Sequence, residues 1–568
     1  MFRKVLIANR GEIAVRVART CRDLGVAVVA VHSDVDAGAR HVALADESVN
    51  LPGVAAADTY LNVGAIVRAA LDTGAEAVHP GYGFLSERAD AAEALAAAGL
   101  VWIGPPPEAL AAAGDKVRAR RLAESAGVSP VPGTLDPISG QSEVLAFGER
   151  HGYPIAIKAA GGGGGRGLKV AASPDEVRPA FESAVREAEA YFGYGDVYLE
   201  RYLARPKHLE VQILAPAPGA TMWIGVRECS LQRRHQKLVE ETPPAGQADL
   251  LVPLGEAAAA VADACGYVSA GTVEFLLDTD TGRFYFLEVN ARLQVEHTIT
   301  EEVTGLDLVA AQLLIASGDQ LGFAPAQVRP GGSFAPRGHA IECRINAENP
   351  ARGFLPGPGT ITRYREPAGP GIRVDSGFGE GDAIPPAYDS LIAKVIAWGS
   401  DREQARRRML RALNEFTVEG VPTTIPAHRV LLEHPEFVDG SYTTRTVESG
   451  ALAGLMEKTV APATAAGGAV LSVDGTPVRL WNPAMARSVS GAPASGPARG
   501  DILAPMHGTV LKVLVAAGDA IEPGAPVAVL ETMKMETQIV AGTAGTIASL
   551  HVEPGDVVDA GDAVATVG

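Results

Sequence analysis

The strongest constraint on the fold is an internal repeat within residues 501–568. A shift of 37 positions aligns its two halves, superposing Ala504 on Ala541, Gly508-Thr509 on Gly545-Thr546, Gly518-Asp519 on Gly555-Asp556, Gly524 on Gly561, and Val527-Ala528 on Val564-Ala565. Each half holds only short apolar runs between glycine-containing turns, so neither half can bury a core without the other. We therefore predict an all-β sandwich in which two similar sets of strands pack together.

A lysine flanked by two methionines lies between the halves of this repeat. Lys534 belongs to the run Glu531-Thr532-Met533-Lys534-Met535-Glu536, and the whole chain has only eight methionines. Large apolar side chains at a tight turn have little core to enter, which indicates a surface that another protein recognises. The run is therefore a candidate exposed hairpin.

Length and composition favour a folded protein of several domains. The 568 residues allow about three to five domains, and 47% apolar with 20% charged residues is typical of globular chains. The 67 acidic and 49 basic residues give a net charge of −18, which disfavours nucleic acid or an anionic membrane as a partner. An anionic substrate must therefore meet a local cluster of positive groups.

The cysteines and the N-terminus are typical of a cytoplasmic protein. Cys21, Cys229, Cys265 and Cys343 lie far apart, without a CxxC or a zinc-type spacing, so we expect reduced structural thiols. The apolar run Val5-Leu6-Ile7-Ala8 is too short for a signal peptide, and no 18 uncharged apolar residues follow one another. We expect a cytoplasmic chain without a membrane span.

The first 30 residues predict a β-strand, a helix and a second strand. Residues 4–8 are apolar, a turn with the single glycine Gly11 follows, and an amphipathic stretch leads to the apolar residues 26–31. Because the turn lacks the GxGxxG pattern, a dinucleotide site is disfavoured against a structural α/β domain. Residues 75–80 and 100–104 continue the alternation as further parallel strands.

A run of five glycines follows a strand-like segment at residues 154–160. Such a loop either is a flexible linker or wraps its backbone N–H groups around phosphates, because no Cβ obstructs the approach. Lys158 on the strand and Arg166 inside the run favour the phosphate interpretation. No GK[ST] follows, so a mobile lid over ATP fits better than a Walker A loop.

Two neighbouring strand-like segments carry acidic and amide side chains. Strand alternation sends Glu288, Asn290 and Arg292 to one face, and Glu274 lies on the strand before them. Paired carboxylates with an amide suit Mg²⁺, which prefers oxygen ligands. The alternative, an exposed face of salt bridges, explains poorly why these residues alternate with Phe286, Leu287 and Val289.

Two further segments differ in composition from the rest of the chain. The basic cluster Gln232 to Lys237 concentrates positive charge within an acidic protein and is a candidate wall for triphosphate or a small oxyanion. Residues 461–500 are rich in Ala, Gly, Pro, Ser and Thr, which is typical of a linker. Apolar runs on either side of Asp474-Gly475 predict a short hairpin within it, with Pro477 on an edge strand.

These residues resemble a known family. Residues 1–446 resemble the biotin carboxylase component of biotin-dependent carboxylases, and residues 501–568 resemble the biotin carboxyl carrier domain. The motifs that carry the resemblance are Ala8 to Ala14, His79 to Glu87, Lys158 to Gly167, Gln232 to Lys237, Glu288 to His297, Glu342 to Asn346, Ala504 to Met506 and Met533 to Met535.

The resemblance implies a fold of α/β and α+β domains. It divides the chain into a Rossmann-like, pre-ATP-grasp N-terminal domain at 1–115, an ATP-grasp domain at 116–334 with a mobile lid at about 130–204, and a biotin carboxylase C-terminal domain at 335–446. A linker at 447–500 with a hairpin for partner docking follows, and an all-β biotinyl (lipoyl-like) sandwich at 501–568 ends the sequence. No carboxyltransferase segment follows the repeat, so we expect the α subunit of an acyl-CoA carboxylase that needs a separate β subunit.

The resemblance also assigns roles to individual residues. ATP and the biotin pocket would be contacted by Lys116, Lys158, Gly163, Gly164, Gly165, Glu200, Leu203, His208, Gln232, His235 and Tyr82. Mg²⁺, or Mn²⁺ in its place, would bind Glu274, Glu288 and Asn290. Glu296 would deprotonate bicarbonate, with Lys237, Arg292, Gln294 and Val295 orienting the anion, and Arg344 would stabilise biotin as it takes up CO₂. Lys534 would carry the biotin.

Partners and two competing functions follow from the same resemblance. We expect bicarbonate and ATP as substrates, a carboxyltransferase β subunit and a biotin protein ligase as partners, and an oligomer. An ATP-grasp ligase with a lipoyl-type domain is disfavoured, because lipoyl domains usually present Asp-Lys-Ala in place of Met-Lys-Met. A carrier subunit with a degenerate ATP-grasp part is disfavoured by the intact Lys237, Glu274, Glu288, Arg292, Glu296 and Arg344.

Overall fold

The computed structural model describes residues 1–134, 136–159, 168–192, 195–234, 236–322, 328–329, 333–458, 470–473, 476–479, 501–504, 508–532, 535–558 and 561–568. The chain forms two compact units. The first contains Met1–Ala347, Gly359–Ala383 and Leu391–Ala453, and the second contains Glu348–Pro358, Ile384–Ser390 and Gly454–Gly568.

The N-terminal part of the first unit is a parallel sheet of five strands in the order β3-β2-β1-β4-β5, flanked by helices. Its elements are β1 (Lys4–Ile7), α1 (Gly11–Asp23), β2 (Ala27–His32), α2 (Arg40–Leu44), β3 (Glu47–Asn50), α3 (Val63–Thr73), β4 (Ala77–His79), α4 (Ala89–Ala97) and β5 (Val101–Trp102). Parallel strands covered on both faces need continuous apolar runs, and Val5, Leu6 and Ile7 are almost completely buried. The predicted α/β domain is confirmed.

The next segment builds a small antiparallel sheet in the order β7-β6-β8, with two helices packed against it. Its elements are α5 (Pro107–Gly114), α6 (Lys116–Ser125), α7 (Gln141–His151), β6 (Ile155–Ala159), β7 (Leu168–Ala171), α8 (Val177–Phe192) and β8 (Val197–Arg201). The strand predicted before the glycine run is β6. The run itself, Gly161 to Gly165, lies outside the described residues.

The largest sheet of the first unit has the central strand order β13-β12-β9-β10-β11-β16-β23-β21. Its first half consists of β9 (Pro206–Ala215), β10 (Met222–Arg233), β11 (Gln236–Thr242), α9 (Leu251–Ala264), β12 (Ser269–Asp278), β13 (Arg283–Asn290), α10 (His297–Thr304) and α11 (Leu308–Ser317). Helix α9 packs on β9 and β10, where Leu209, Val211 and Ile213 point into a fully buried core. These strands bring polar residues far apart in sequence onto one face.

Residues 328–458 continue the large sheet of the first unit and add helices, although Glu348–Pro358, Ile384–Ser390 and the residues from Gly454 onward belong to the second unit. The elements through this part of the chain are β14 (Val328–Arg329), β15 (Ser333–Phe334), β16 (His339–Asn346), β17 (Glu348–Asn349), β18 (Leu355–Pro356), β19 (Gly359–Thr360), β20 (Arg363–Arg365), β21 (Ile372–Ser376), β22 (Ala383–Ile384), β23 (Leu391–Gly399), α12 (Arg402–Glu415), β24 (Thr417–Glu419), α13 (Ile425–Glu433), α14 (Pro435–Asp439) and α15 (Ala453–Lys458). Strand β16 pairs with both β11 and β23, which extends the sheet from the strands before residue 290 to those after residue 339.

Two antiparallel strands represent the predicted hairpin of the linker. Strand β25 (Val470–Val473) pairs with β26 (Thr476–Arg479), and Val473 lies opposite Thr476. Asp474 and Gly475, which we predicted as the turn, lie outside the described residues.

The repeat of residues 501–568 folds into two four-stranded sheets, in the orders β27-β34-β32-β29 and β31-β30-β28-β33. The strands are β27 (Asp501–Leu503), β28 (Gly508–Val513), β29 (Ala520–Ile521), β30 (Pro526–Thr532), β31 (Met535–Val540), β32 (Gly545–Leu550), β33 (Val557–Val558) and β34 (Ala563–Val567). Gly518 and its repeat partner Gly555 have φ of 97° and 101°, a conformation that favours glycine and explains why both halves keep it. The predicted sandwich is confirmed.

Two further expectations concern the whole chain. All four cysteines are free and buried, as expected for reduced structural thiols. Among the described residues, no helix is both long and apolar enough to cross a membrane.

Candidate active site

A buried lysine surrounded by three carboxylates lies at the centre of the site. The Lys237 ammonium is 2.7 Å from Glu296 Oε1 and 3.2 Å from Glu274 Oε1, and it also pairs with Glu210. Glu210 and Glu296 are fully buried, and Lys237 retains 12% of its side-chain exposure. The site therefore opens to solvent at the lysine and is closed behind it.

The strand register explains how these acidic residues meet. Glu210 on β9 lies directly opposite Glu274 on β12, and Glu274 lies directly opposite Glu288 on β13. Directly opposed residues point to the same face of a sheet with Cβ atoms about 5 Å apart. Three carboxylates thus form a row across three strands, and Lys237 on β11 reaches two of them.

The charges of this cluster depend on one another. Burial alone would lower the pKa of Lys237, but Glu210, Glu296 and Glu274 outweigh it and raise that pKa well above its ordinary value. Burial raises the pKa of Glu296, yet Lys237 and Arg344 reverse the effect and hold it well below its ordinary value. Burial raises the pKa of Glu210 to about 8, with the negative charge of Glu296 adding to it. Glu296 is therefore ionised, whereas the pKa of Glu210 is raised towards the neutral range.

Arg344 connects Glu296 to a second buried carboxylate. Its Nη2 donates to Glu296 Oε2 at 2.9 Å, and its Nε donates to Glu240 Oε1 at 2.6 Å. Arg344 lies on β16, and Glu240 lies on the adjacent strand β11. The two carboxylates fix the plane of the guanidinium at the edge of the site.

The segment between β13 and α10 supplies the remaining polar groups. Arg292 donates to Asn290 Oδ1 at 2.8 Å and to Gln294 Oε1 at 3.0 Å, and its Nε lies 3.0 Å from Glu87 Oε2. Gln294 in turn donates to Glu274 Oε1 at 3.1 Å. These contacts bring an arginine, an amide and the Glu296 carboxylate together within a six-residue stretch, which is a suitable lining for a small oxyanion.

The carboxylate row also fits a divalent cation. Like charges directly opposite one another on a sheet are destabilising, so the cross-strand pair Glu274 and Glu288 favours a cation between them. His208 Nε2 lies 2.8 Å from Glu274 Oε2. Burial lowers the pKa of His208, but the charge of Glu274 outweighs this effect, so the pKa is raised above its ordinary value. The oxygen-rich donor set suits Mg²⁺, whose charge would neutralise the phosphates of a bound nucleotide.

The residues predicted to contact nucleotide lie on the small sheet and at its junction with the large one. Lys158 on β6 forms an ion pair with Glu200 on β8, and Leu203 belongs to a small buried cluster with Val131 and Tyr285. Gln232 lies opposite Lys237 in the pairing of β10 with β11. The predicted residues Gly163, Gly164, Gly165 and His235, and the side chain of Lys116, lie outside the described part of the chain.

Tyr82, predicted to line the biotin pocket, contacts the N-terminal helix. Its hydroxyl donates to Glu12 Oε1 near the start of α1, and Glu12 also lies 3.1 Å from Lys394 Nζ. In the second unit, β30 and β31 pair through Thr532 and Met535. Lys534 itself lies between these strand ends in sequence and is outside the described residues.

Four family models match the chain in succession. The matches are "Biotin carboxylase, N-terminal domain" at residues 1–110, "Carbamoyl-phosphate synthase L chain, ATP binding domain" at 115–323, "Biotin carboxylase C-terminal domain" at 342–449 and "Biotin-requiring enzyme" at 500–567.

A curated relative matches the chain along nearly its full length. The biotin-dependent acyl-coenzyme A carboxylase alpha3 subunit of Mycobacterium leprae is 44% identical over 99% of this chain and 98% of its own. The chain belongs to the biotin-dependent carboxylases. Its biotin carboxylase part is also 49% identical to the biotin carboxylase of Nostoc over 79% of this chain and 99% of that protein.

Solved biotin carboxylase structures share the fold. The biotin carboxylase domain of Hydrogenobacter thermophilus 2-oxoglutarate carboxylase, solved with MgADP, ADP and bicarbonate, has a TM-score of 0.71 and 43% identity over 80% of this chain and 98% of that one. Biotin carboxylase of Campylobacter jejuni has a TM-score of 0.71 and 39% identity over 79% of this chain and 99% of that one.

The biotin carboxylase site contains residues that sequence reasoning missed. Glu210 and Glu240 are both fully buried and contact Lys237 and Arg344 respectively, but we assigned them no role. A signal for Glu210 existed, because His208, Glu210 and Gln212 alternate with apolar residues along β9. Glu240 adjoins Glu241 in the sequence, and alternation alone could not decide which of the two faces the site.

Proposed function

We propose that this chain carboxylates the biotin of its own carrier domain from bicarbonate and ATP, as the α subunit of an acyl-CoA carboxylase. The observation that carries the proposal is the buried, ionised Glu296 held between Lys237 and Arg344.

Glu296 acts as the general base. It takes the bicarbonate proton onto its carboxylate, and the freed bicarbonate oxygen attacks the γ-phosphorus of ATP. The new oxygen–phosphorus bond forms as the bond to the ADP oxygen breaks, so that carboxyphosphate and ADP result. Lys237, Arg292, Gln294 and the backbone at Val295 orient the anion and offset its growing charge.

Arg344 and Tyr82 serve the second half of the reaction. Carboxyphosphate would break into CO₂ and phosphate within the site. When bound, biotin would supply the ring nitrogen that bonds to this CO₂, and the phosphate would take the proton that the nitrogen loses. The fixed guanidinium of Arg344 would donate N–H groups to the ureido oxygen, which gains negative charge as that proton leaves. Tyr82 lines the pocket for the ring.

The nucleotide and its cation occupy the region between the small and large sheets. Glu274, Glu288 and Asn290 would hold Mg²⁺, or Mn²⁺ in its place. The nucleotide contacts Lys116, Lys158, Gly163, Gly164, Gly165, Glu200, Leu203, His208, Gln232 and His235. Closure of the lid at about 130–204 excludes water, which matters because carboxyphosphate hydrolyses readily.

The remaining assignments concern the carrier and the partners. A biotin protein ligase attaches biotin to Lys534, and a carboxyltransferase β subunit transfers the carboxyl group to an acyl-CoA. The relative from Mycobacterium leprae, named as an alpha3 subunit, supports this division of labour. We further propose the functional division 1–115, 116–334, 335–446, 447–500 and 501–568, an oligomeric assembly, and docking of the β subunit on the β25–β26 hairpin.

Labelled bicarbonate tests the proposal directly. The pure, biotinylated chain with ATP, Mg²⁺ and labelled bicarbonate should place label on the carrier, and label should reach acetyl- or propionyl-CoA only after a β subunit is added. Absence of label on the carrier would contradict the carboxylase assignment. Label in acyl-CoA without a β subunit would contradict the subunit assignment alone.

A further inference from the structure

A fully buried lysine lies directly behind the bicarbonate segment. Lys394 on β23 has no exposed side-chain surface, and its Nζ donates to the backbone carbonyl of Val295 at 2.8 Å. The same ammonium lies 3.1 Å from Glu12 Oε1. A buried ammonium is costly unless its donors are well paired, so these two contacts balance its loss of water.

The two partners of Lys394 lead to different halves of the site. Val295 precedes Glu296, and the carbonyl that Lys394 holds is therefore one peptide unit from the proposed base. Glu12 accepts from the hydroxyl of Tyr82, so the same lysine reaches the proposed biotin pocket through one carboxylate.

Lys394 is also adjacent to the third part of the site. In the pairing of β16 with β23, Lys394 lies directly opposite Arg344. Their charged groups diverge, because Arg344 points to Glu240 and Glu296 while Lys394 points to Val295 and Glu12. One cross-strand pair therefore supports the Glu296 region from two sides.

We propose that Lys394 is a positioning residue. It holds the Val295–Glu296 segment directly and holds Tyr82 through Glu12, so that the bicarbonate site and the biotin pocket keep a fixed position relative to each other. The inference rests on the proposed function of these residues. Without the ammonium, the Val295 carbonyl and the Glu12 carboxylate lose a buried partner and the segment relaxes. A displacement of about 1 Å at a reacting group can cost about 100-fold in rate.

If Lys394 only stabilised the fold, replacing it would have the same effect as replacing another buried lysine, and the chain contains a matched control. Lys207 on β9 is also buried, lies 2.9 Å from Glu228 Oε1 and donates to the carbonyl of Gly440 at 2.7 Å. It thus has the same kinds of partner as Lys394, one carboxylate and one backbone carbonyl, but it does not contact the bicarbonate segment. Lys207→Met reports the effect of removing a buried lysine as such.

The experiment compares Lys394→Met with Lys207→Met in the full-length, biotinylated chain. We expect Lys394→Met to raise the KM for bicarbonate by about tenfold or more and to raise the ADP formed per carboxylated biotin several-fold, with the KM for ATP within about threefold. Lys207→Met should lower thermal stability, but it should leave the KM for bicarbonate and the ADP formed per carboxylated biotin unchanged. Equal changes in the two variants, or an unchanged bicarbonate KM in Lys394→Met, would overturn the inference.

Two further arms keep the result interpretable. If Lys394→Met does not fold, Glu12→Gln removes the carboxylate shared by Lys394 and Tyr82 while keeping an amide there. It should shift the ADP-to-carboxylated-biotin ratio in the same direction, and an unchanged ratio would overturn the inference. A wild-type chain without bicarbonate-dependent ATP cleavage would overturn the proposed function and the inference with it, whereas normal wild-type turnover isolates a failure of the Lys394 role.

Discussion

Glu296 and Arg344 form a direct ion pair in which Oε2 of the buried carboxylate lies 2.9 Å from Nη2 of the guanidinium. The proposed base for bicarbonate and the proposed cation for biotin therefore contact each other directly. A change at one of them alters the orientation and charge of the other, and the two can be separated only by measuring the two half-reactions independently.

Replacing the proposed base should stop the first half-reaction. Glu296→Gln keeps the size of the side chain but cannot accept the proton, so we expect bicarbonate-dependent ATP cleavage to fall by about 10²–10⁴. The KM for ATP should stay within a few-fold, because the carboxylate acts on bicarbonate. Glu256→Gln, at an exposed position of α9, is the control, and unchanged turnover in Glu296→Gln would remove Glu296 from the mechanism.

Arg344→Lys should separate the two half-reactions. Lysine keeps the charge but cannot contact Glu240 and Glu296 together with a planar fork. The loss of one charge-assisted hydrogen bond costs about 1.5–3 kcal/mol, or roughly 10- to 150-fold. We expect the rate of biotin carboxylation to fall by this factor beyond any fall in the rate of ATP cleavage. Equal losses in both assays would contradict a role on the biotin side, and Arg363→Lys, at an exposed pair with Glu419, is the control.

Lys534→Arg should abolish biotin attachment. Arginine keeps the charge and approximate length but lacks the amine that a biotin ligase acylates. Intact mass and streptavidin binding after co-expression with a biotin ligase check this, with Lys512→Arg on the exposed face of β28 as the control. Streptavidin binding by Lys534→Arg would disprove the assignment. A mass increase matching lipoate on the wild type would instead support the alternative function, an ATP-grasp ligase with a lipoyl-type domain.

Glu241 should make stability sensitive to acid. Burial raises the pKa of Glu241, but His339 and Arg402 outweigh it and lower the pKa to about 2 from the ordinary 4.5. Because the folded pKa is the lower one, the stabilisation is complete above about pH 4.5 and disappears as the pH falls towards 2.

Glu241→Gln tests this dependence. We expect the variant to be less stable at pH 7 by about 3–5 kcal/mol, since it removes the buried carboxylate that pairs with His339 and Arg402. The difference from wild type should shrink below pH 4.5 when both are unfolded in urea, and a difference that stays constant with pH would contradict the assignment. Glu433→Gln, at an exposed position of α13, should show no such trend.

Local patterns in the sequence predict the parts of this fold that repeat or alternate. Alternation along β13 places Glu288 and Asn290 on one face, and the 37-residue repeat predicts the two sheets of the carrier. Both inferences need only the geometry of a strand and its neighbour in sequence.

The contacts that close the active site could not be predicted in the same way. Glu240 meets Arg344 across 104 residues, and Lys394 meets Val295 across 99. No periodicity encodes such pairs, because they depend on the order of strands in the large sheet. The strand order β9-β10-β11-β16-β23 and the path of the segment between β13 and α10 are properties of the tertiary fold, and they bring these groups together.

The carrier sandwich begins and ends on neighbouring strands, with Asp501 on β27 opposite Thr566 on β34, while the hairpin that flanks Lys534 belongs to the other sheet. Both ends of the domain therefore leave from one side-by-side pair of strands. A tether attached at either end would start from nearly the same point, so the reach of the carrier depends on tether length and hardly on which end is fused.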